Sequence, residues 1–256
     1  MLKKRLIFTL LYKNNNFFLS RNFRLQKVGG VEWLIKNYNF AKIASSIDEL
    51  VILNLSDNNS DLHKFCDHVM QITKNCFIPV SLGGGIKSIE EASILFSNGA
   101  DKIVINSALF SDPNLIKEIS SKFGNQSIVA SVDFKIKNED YLIYIENGTQ
   151  LIEYNLTDYL KYLDSLPIGE IMLNSIDKDG TGQGFELSVI NKIERFISKP
   201  FILSGGAGNE VHLLDVLVNS KINAASTANL FNFIGDGLPK ARNYLIEKGC
   251  ELARWE

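Results

Sequence analysis

PVSLGGG, residues 79–85, is a short apolar run that ends in three consecutive glycines. Such a run reads as a buried strand leading into a turn with bare backbone. The same arrangement returns as PFILSGG, residues 200–206, a shift of 121. That shift also carries ELVILN (49–54) onto EIMLNS (170–175), and NSALF (106–110) onto TANLF (227–231). A shift of 122 carries RLIFTLLYK (5–13) onto SIVASVDFK (127–135). Matches in order at nearly one offset predict a chain of two similar halves, about 1–122 and 123–256.

Working outward, short aliphatic or β-branched runs recur along the whole chain. They are LIFTLL (6–11), LVILNL (50–55), IPVSL (78–82), KIVINS (102–107), SIVASVDF (127–134), EIMLNS (170–175), FILSG (201–205) and INAAST (222–227). Segments of helical period lie between them, such as 88–99, 112–124, 157–166 and 209–219. Strands alternating with helices imply parallel pairing through right-handed crossovers. Eight such runs in 256 residues predict an α/β fold of one domain, a (β/α)8 TIM barrel with a two-fold half-barrel repeat. YLIYIENGTQLIEYNL (141–156) interrupts the rhythm. Its Asn147-Gly148 between alternating runs predicts a hairpin insertion over about 138–156, on the side where barrels carry functional loops.

Composition excludes several classes. The chain is 45% hydrophobic and 22% charged, with a formal net charge of −2 and both signs mixed throughout. That is globular, and it argues against a nucleic-acid partner. Cys66, Cys76 and Cys250 show no CxxC spacing, and His63, His68 and His212 make no ligand pattern, so neither a metal nor a cofactor is expected. Reduced thiols imply a cytoplasmic protein. The start, MLKKRLIFTLLY, has the charge of a signal peptide, but its apolar run ends at Lys13 without a small-residue cleavage site. No run reaches the ~20 apolar residues of a membrane span.

Glycines directly after strands let backbone N–H groups approach an anion, and the following helix adds its dipole. Gly84 and Gly85 follow the third strand, with Asn106-Ser107 after the fourth. Gly205 and Gly206 follow the seventh, with Ala228-Asn229 after the eighth. Two such corners predict two phosphate sites and a ligand with a phosphate at each end. A tight turn alone would also use glycine here. Asp133 ends the fifth strand with the parity of Val129 and Ser131, so it faces the mouth as a general acid or base, or as a loop brace. Asp177-Lys178-Asp179-Gly180 opens like a calcium loop, but Ser188 stands where that loop needs glutamate. It reads as a ligand-covering loop. At the opposite end, Arg5, Glu49, Lys102 and Glu170 begin strands, three of them with inward parity. Buried charge is costly unless paired, so these four form either a structural plug or a gate on an axial passage.

The motifs KR (4–5), DELV (48–51), GGGI (83–86), GADK with IN (99–106), SIDKDGT (175–181) and SGGAG (204–208) carry a family resemblance. Over essentially its whole length the chain resembles the cyclase subunit of imidazole glycerol phosphate synthase. The resemblance implies a two-fold barrel that docks a glutaminase on its N-terminal face. Ammonia would pass along the axis to a bisphosphorylated substrate at the other face. It further implies that Arg5, Glu49, Lys102 and Glu170 gate the ammonia and that Asp101 lies at the glutaminase interface. Gly85, Asn106 and Ser107 would hold one phosphate. Asp179, Gly180, Gly206, Ala228 and Asn229 would surround the other. Asp133 would be one of two catalytic aspartates.

The other aspartate falls at Leu11, a mouth lysine at Leu19 and a mouth carboxylate at Asn54. Leucine moves no proton, and losing one member of an acid–base pair costs several orders of magnitude. The pattern is similar to a paralogous branch associated with amidation of surface-polysaccharide and flagellar sugars. There the barrel serves a glutaminase and a separate sugar amidotransferase. Three expectations stand beside one another: an ammonia conduit for sugar amidation, a working cyclase of histidine biosynthesis, and a non-catalytic scaffold that binds a phosphorylated small molecule. A fold-related phosphoribosyl sugar isomerase is a further alternative, but it too would want an acid at position 11.

Overall fold

The computed structural model describes residues 3–56, 62–193, 197–228 and 236–253. β1 (Arg5–Lys13) is followed by a hairpin of β2 (Asn16–Arg21) and β3 (Arg24–Gly30). β4 (Glu49–Asn54), β5 (Val80–Gly83) and β6 (Lys102–Ile105) follow. β7 (Ile128–Lys137) carries a second hairpin, β8 (Asp140–Ile145) and β9 (Gln150–Asn155). β10 (Glu170–Ser175), β11 (Phe201–Ser204) and β12 (Ala224–Thr227) complete the set. Eight of these strands close into a parallel barrel in the order β1-β4-β5-β6-β7-β10-β11-β12, with β12 paired back to β1. This is the (β/α)8 architecture the strand rhythm predicts.

The crossovers are α1 (Val31–Asn37), α2 (Phe40–Ala44), α3 (Leu62–Thr73), α4 (Ile89–Ser97), α5 (Ser107–Ser111), α6 (Pro113–Phe123), α7 (Leu156–Ser165), α8 (Glu210–Leu217) and α9 (Gly237–Glu247). Local chemistry sets their starts. Ser88, Asp112, Asn155 and Asn209 each accept a backbone N–H of the first turn, and Pro113 fixes φ at the opening of α6. After β10 the described chain makes 3-10 turns, Leu187–Lys192, where the other crossovers have α-helix.

Period-two alternation divides the core. Outward residues such as Leu6, Phe8, Leu50, Ile52, Leu82 and Ile103 pack under the helices. Inward residues Ile7, Val51, Val104, Val129, Met172, Ile202 and Ala224 fill the barrel as a separate cluster. Polar inward residues therefore collect in layers at the barrel's two ends.

The sequence reading places a hairpin only after the fifth barrel strand; the structure has one after β1 as well. Three of the four tight turns are alike: Asn14-Asn15, Asn22-Phe23 and Asn138-Glu139 are two-residue turns with two positive φ angles, while the longer β8–β9 turn has three, at Glu146, Asn147 and Gly148. The two-residue form is the turn a twisted two-stranded ribbon selects, and asparagine tolerates it. The two hairpins meet at their tips, where Gly148 packs on the Phe23 ring: a Cβ there would sit 2.7 Å from Phe23 Cδ2.

Candidate functional site

At the N-terminal end of the barrel the four charged residues form a closed ring. Arg5 pairs with Glu49 at 2.8 Å and with Glu170. Lys102 pairs with Glu49 at 2.8 Å and with Glu170 at 2.6 Å. Each cation thus touches both anions. Ser81 donates to the remaining Glu49 oxygen at 2.5 Å. Glu49 and Glu170 are buried, while Arg5 and Lys102 keep 24% and 19% exposure toward the lower face. Burial alone would push the Glu170 carboxyl up, but the hydrogen bond and charge of Arg5, with Lys102, hold it below its ordinary value. The same contacts, acting against burial, raise the Arg5 guanidinium. Directly above lies the apolar cluster around Ile7, Val51 and Val104. Asp101, exposed on this lower face beside Lys102, accepts the Val80 N–H at 2.8 Å.

At the other end, Asp133 sits in mid β7, where the strand leaves the barrel for its hairpin, and is buried. Asn174 Nδ2 donates to its Oδ1 at 3.0 Å, and Asn106 Nδ2 donates to its Oδ2 at 3.2 Å. Burial pushes the carboxyl up to about 7 against the Asn174 bond, with Asp179 adding repulsion. An acid in that range can both give and take a proton near neutral pH. Leu11 occupies the matching height on β1, four strands round the barrel, opposite Phe18 on β2 and Leu53 on β4. That side of the mouth is apolar. Asn54 is buried, and its Oδ1 accepts the Ser56 N–H at 3.1 Å.

The two glycine corners differ. On β11 and β12, Gly205, Gly206 and Ala228 line a cleft of about 290 Å³ together with Gly180, Asp179 and Leu19. Gly205 and Gly206 have φ of 90° and 110°, and a Cβ on Gly206 would sit 2.1 Å from the Gly184 carbonyl oxygen, so no side chain fits. Asp179 does not face the cleft as a free anion. Its Oδ2 accepts the Ser20 hydroxyl and, at 3.0 Å, the Phe23 N–H. Burial raises its pKa. It fastens the β2–β3 hairpin over the corner. Gly180, φ 65°, lies so close beneath that a Cβ would strike the Ser20 carbonyl. On the other side, Gly84 and Gly85 also have positive φ, and Gly84 is packed against the Asn54 backbone. Ser107 Oγ accepts the Glu146 N–H at 3.1 Å, so the second hairpin is fastened there. Asn229 lies outside the described residues. Among the described residues no group of three His, Cys, Asp or Glu side chains is arranged to hold a metal, and no helix is long and apolar enough to cross a membrane.

Sequence reading missed Asn174 as a partner of Asp133, Ser81 as a partner of Glu49, and Arg21 and Arg24, which the β2–β3 hairpin brings to the cleft. Period-two parity from Glu170 does put Asn174 beside Asp133, a signal available in the sequence. Nothing local points Arg21 or Arg24 at the mouth.

Comparison with known proteins bears on this arrangement. The family described as "Histidine biosynthesis protein" matches residues 32–234. A protein of Parasynechococcus marenigrum (strain WH8102), provisionally named imidazole glycerol phosphate synthase subunit hisF2, is 46% identical over 256 residues, covering 100% of this chain and 95% of its own. Imidazole glycerol phosphate synthase subunit HisF of Chlorobium phaeobacteroides (strain BS1) is 34% identical over 98% of this chain and 99% of its own. The HisF subunit of Staphylococcus carnosus (strain TM300) is 34% identical over the full length of both chains. With the closed barrel, these matches show that the chain belongs to the histidine biosynthesis protein family, as a HisF-like member of the imidazole glycerol phosphate synthase subunits.

Proposed function

We propose that this HisF-like chain docks a glutaminase on its N-terminal barrel face, around Asp101, and passes ammonia through the Arg5–Glu49–Lys102–Glu170 ring. The ammonia serves amidation of a surface-polysaccharide or flagellar sugar, with a separate amidotransferase completing the reaction. The cyclase step itself is impaired by Leu11 in place of an aspartate. One observation carries this reading: the ring at the lower end is complete, whereas the mouth offers Asp133 with Leu11, not a second acid, across from it. A reaction needing an acid and a base on opposite sides of one substrate finds, among the described residues, no proton carrier at the Leu11 position across from Asp133.

The docking is tested with a HisH-type glutaminase from the same organism. The expected result is co-elution of the two proteins and faster glutamine hydrolysis than by the glutaminase alone. Separate elution and unchanged hydrolysis would leave the scaffold reading. The second reading, a working cyclase, draws on Asp133, whose carboxyl lies at about 7, and on the glycine corners.

A further inference from the structure

Arg21 and Arg24 are direct partners across the β2–β3 hairpin, flanking the Asn22-Phe23 turn. Like charges directly opposite in a ribbon destabilise it. No ion pair among the described residues relieves them, although the Asp179 carboxylate lies in the same cleft. Both side chains are exposed, and neither makes an ion pair or side-chain hydrogen bond within the described residues. Both also line the cleft that holds Gly205, Gly206 and Ala228. Asp179, the acid in that cleft, has its Oδ2 committed to Ser20 and the Phe23 N–H, and so holds the hairpin in place over the corner. The second hairpin has nothing equivalent. Its turn is flanked by Ile145 paired with Gln150.

The missing counter-charge thus belongs to a ligand. A backbone N–H corner suffices for one phosphate. Two guanidiniums above it, in a cleft of about 290 Å³, exceed what one phosphate needs and approach the size of a small-molecule pocket. Arginine's planar fork matches phosphate oxygens bidentately. We propose that Arg21 and Arg24 form a clamp over the β11–β12 glycine corner, and that this cleft binds two linked phosphate groups: pyrophosphate, or the diphosphate of a nucleoside ester. The glycine corner would take one phosphorus and the clamp the other. This rests on the reading of that corner as a phosphate site, and it is independent of glutaminase docking.

The test is calorimetric titration of the chain alone with inorganic phosphate, pyrophosphate and a nucleoside diphosphate. Pyrophosphate is expected to bind at least about tenfold more tightly than phosphate. Arg21→Ala and Arg24→Ala should each weaken pyrophosphate about 10- to 100-fold, as loss of a charge-assisted contact does. A nucleoside diphosphate tighter than pyrophosphate identifies an ester as the ligand; the reverse order identifies the free anion; both support the clamp. Arg24→Gln should leave the melting temperature of the unliganded chain unchanged or higher, because it removes a repulsion. A residue with only a structural role would lower it. Equal affinity for phosphate and pyrophosphate, or unchanged pyrophosphate binding in both alanine variants, would overturn the clamp. The titration contains no glutaminase, so that result leaves the docking reading standing, and failed docking leaves this one standing.

Discussion

Asp133 lies between two amide donors, Asn106 and Asn174, in a site dry enough to lift its carboxyl from the ordinary 3.8 to about 7. A raised carboxyl pKa means that the folded chain holds its proton more tightly than the unfolded chain does. Stability contributed by this group is full below 3.8 and is lost as the pH rises toward 7. Asp133→Asn removes the titration. The variant should therefore gain on the wild type at pH 8 relative to pH 4, by a few kcal/mol at most, in denaturant melts at the two values. Equal pH dependence in both proteins would mean that Asp133 is not held protonated. Position 133 was legible in the sequence because strand parity runs from Val129 and Ser131 to it. The neighbours that set its chemistry come from just after β6 and from β10, and only barrel closure brings them together.

At the scale of elements, the charged ring and the β2–β3 hairpin occupy opposite ends of β1. In the ring, Glu170→Gln leaves Arg5 and Lys102 facing Glu49 alone. Both cations are partly solvated, so the cost is about 1–3 kcal/mol, less than for a fully buried pair. Glu170 is held below its ordinary 4.5, so its stabilisation is present above that pH and fades as the pH falls through the folded value. Acid titration of stability should be flatter below pH 4.5 in the variant than in the wild type. The hairpin depends on a close approach. A Cβ on Gly180 would meet the Ser20 carbonyl, at a φ of 65° that disfavours any side chain. Gly180→Ala should lift the hairpin and speed proteolytic cleavage within residues 16–30 while the barrel's far-UV signal is kept. Unchanged cleavage would show that the hairpin is fastened elsewhere. This hairpin went unread in the sequence for a definite reason. The β8–β9 turn announces itself with Asn147-Gly148, whereas the first hairpin turns on Asn14-Asn15 and Asn22-Phe23, with no glycine, and its runs LIFTLLY, FFL and RLQKV do not alternate. The 3-10 crossover over Leu187–Lys192 likewise lacks the apolar period that marks α4, α6 and α8.

For the whole molecule, the barrel was legible because its eight strands are short, aliphatic and regularly spaced, and because the glycine corners repeat at a fixed shift. The last helix is tied back by a contact no local pattern announces. Arg242 on α9 reaches the start of β4, pairing with both Asp48 oxygens at 2.9 and 3.0 Å, and also donates to the Ala253 carbonyl. Asp48 in turn accepts the Leu6 N–H at 2.8 Å, so the last helix is tied to the first strands. The pair is buried on both sides. Arg242→Ala strands the Asp48 carboxylate and should cost about 3–5 kcal/mol in chemical unfolding; a loss under 1 kcal/mol, the value of a surface pair, would mean that water reaches Asp48. The proposed function rests on a larger division: a complete ionic ring at one end of the axis, and at the other, among the described residues, Asp133 with Leu11 across from it. Complementation of a histidine auxotroph lacking the cyclase subunit, with this chain and a HisH-type glutaminase co-expressed, tests that division most directly. No growth without histidine is the predicted result, and growth at the normal rate would contradict it.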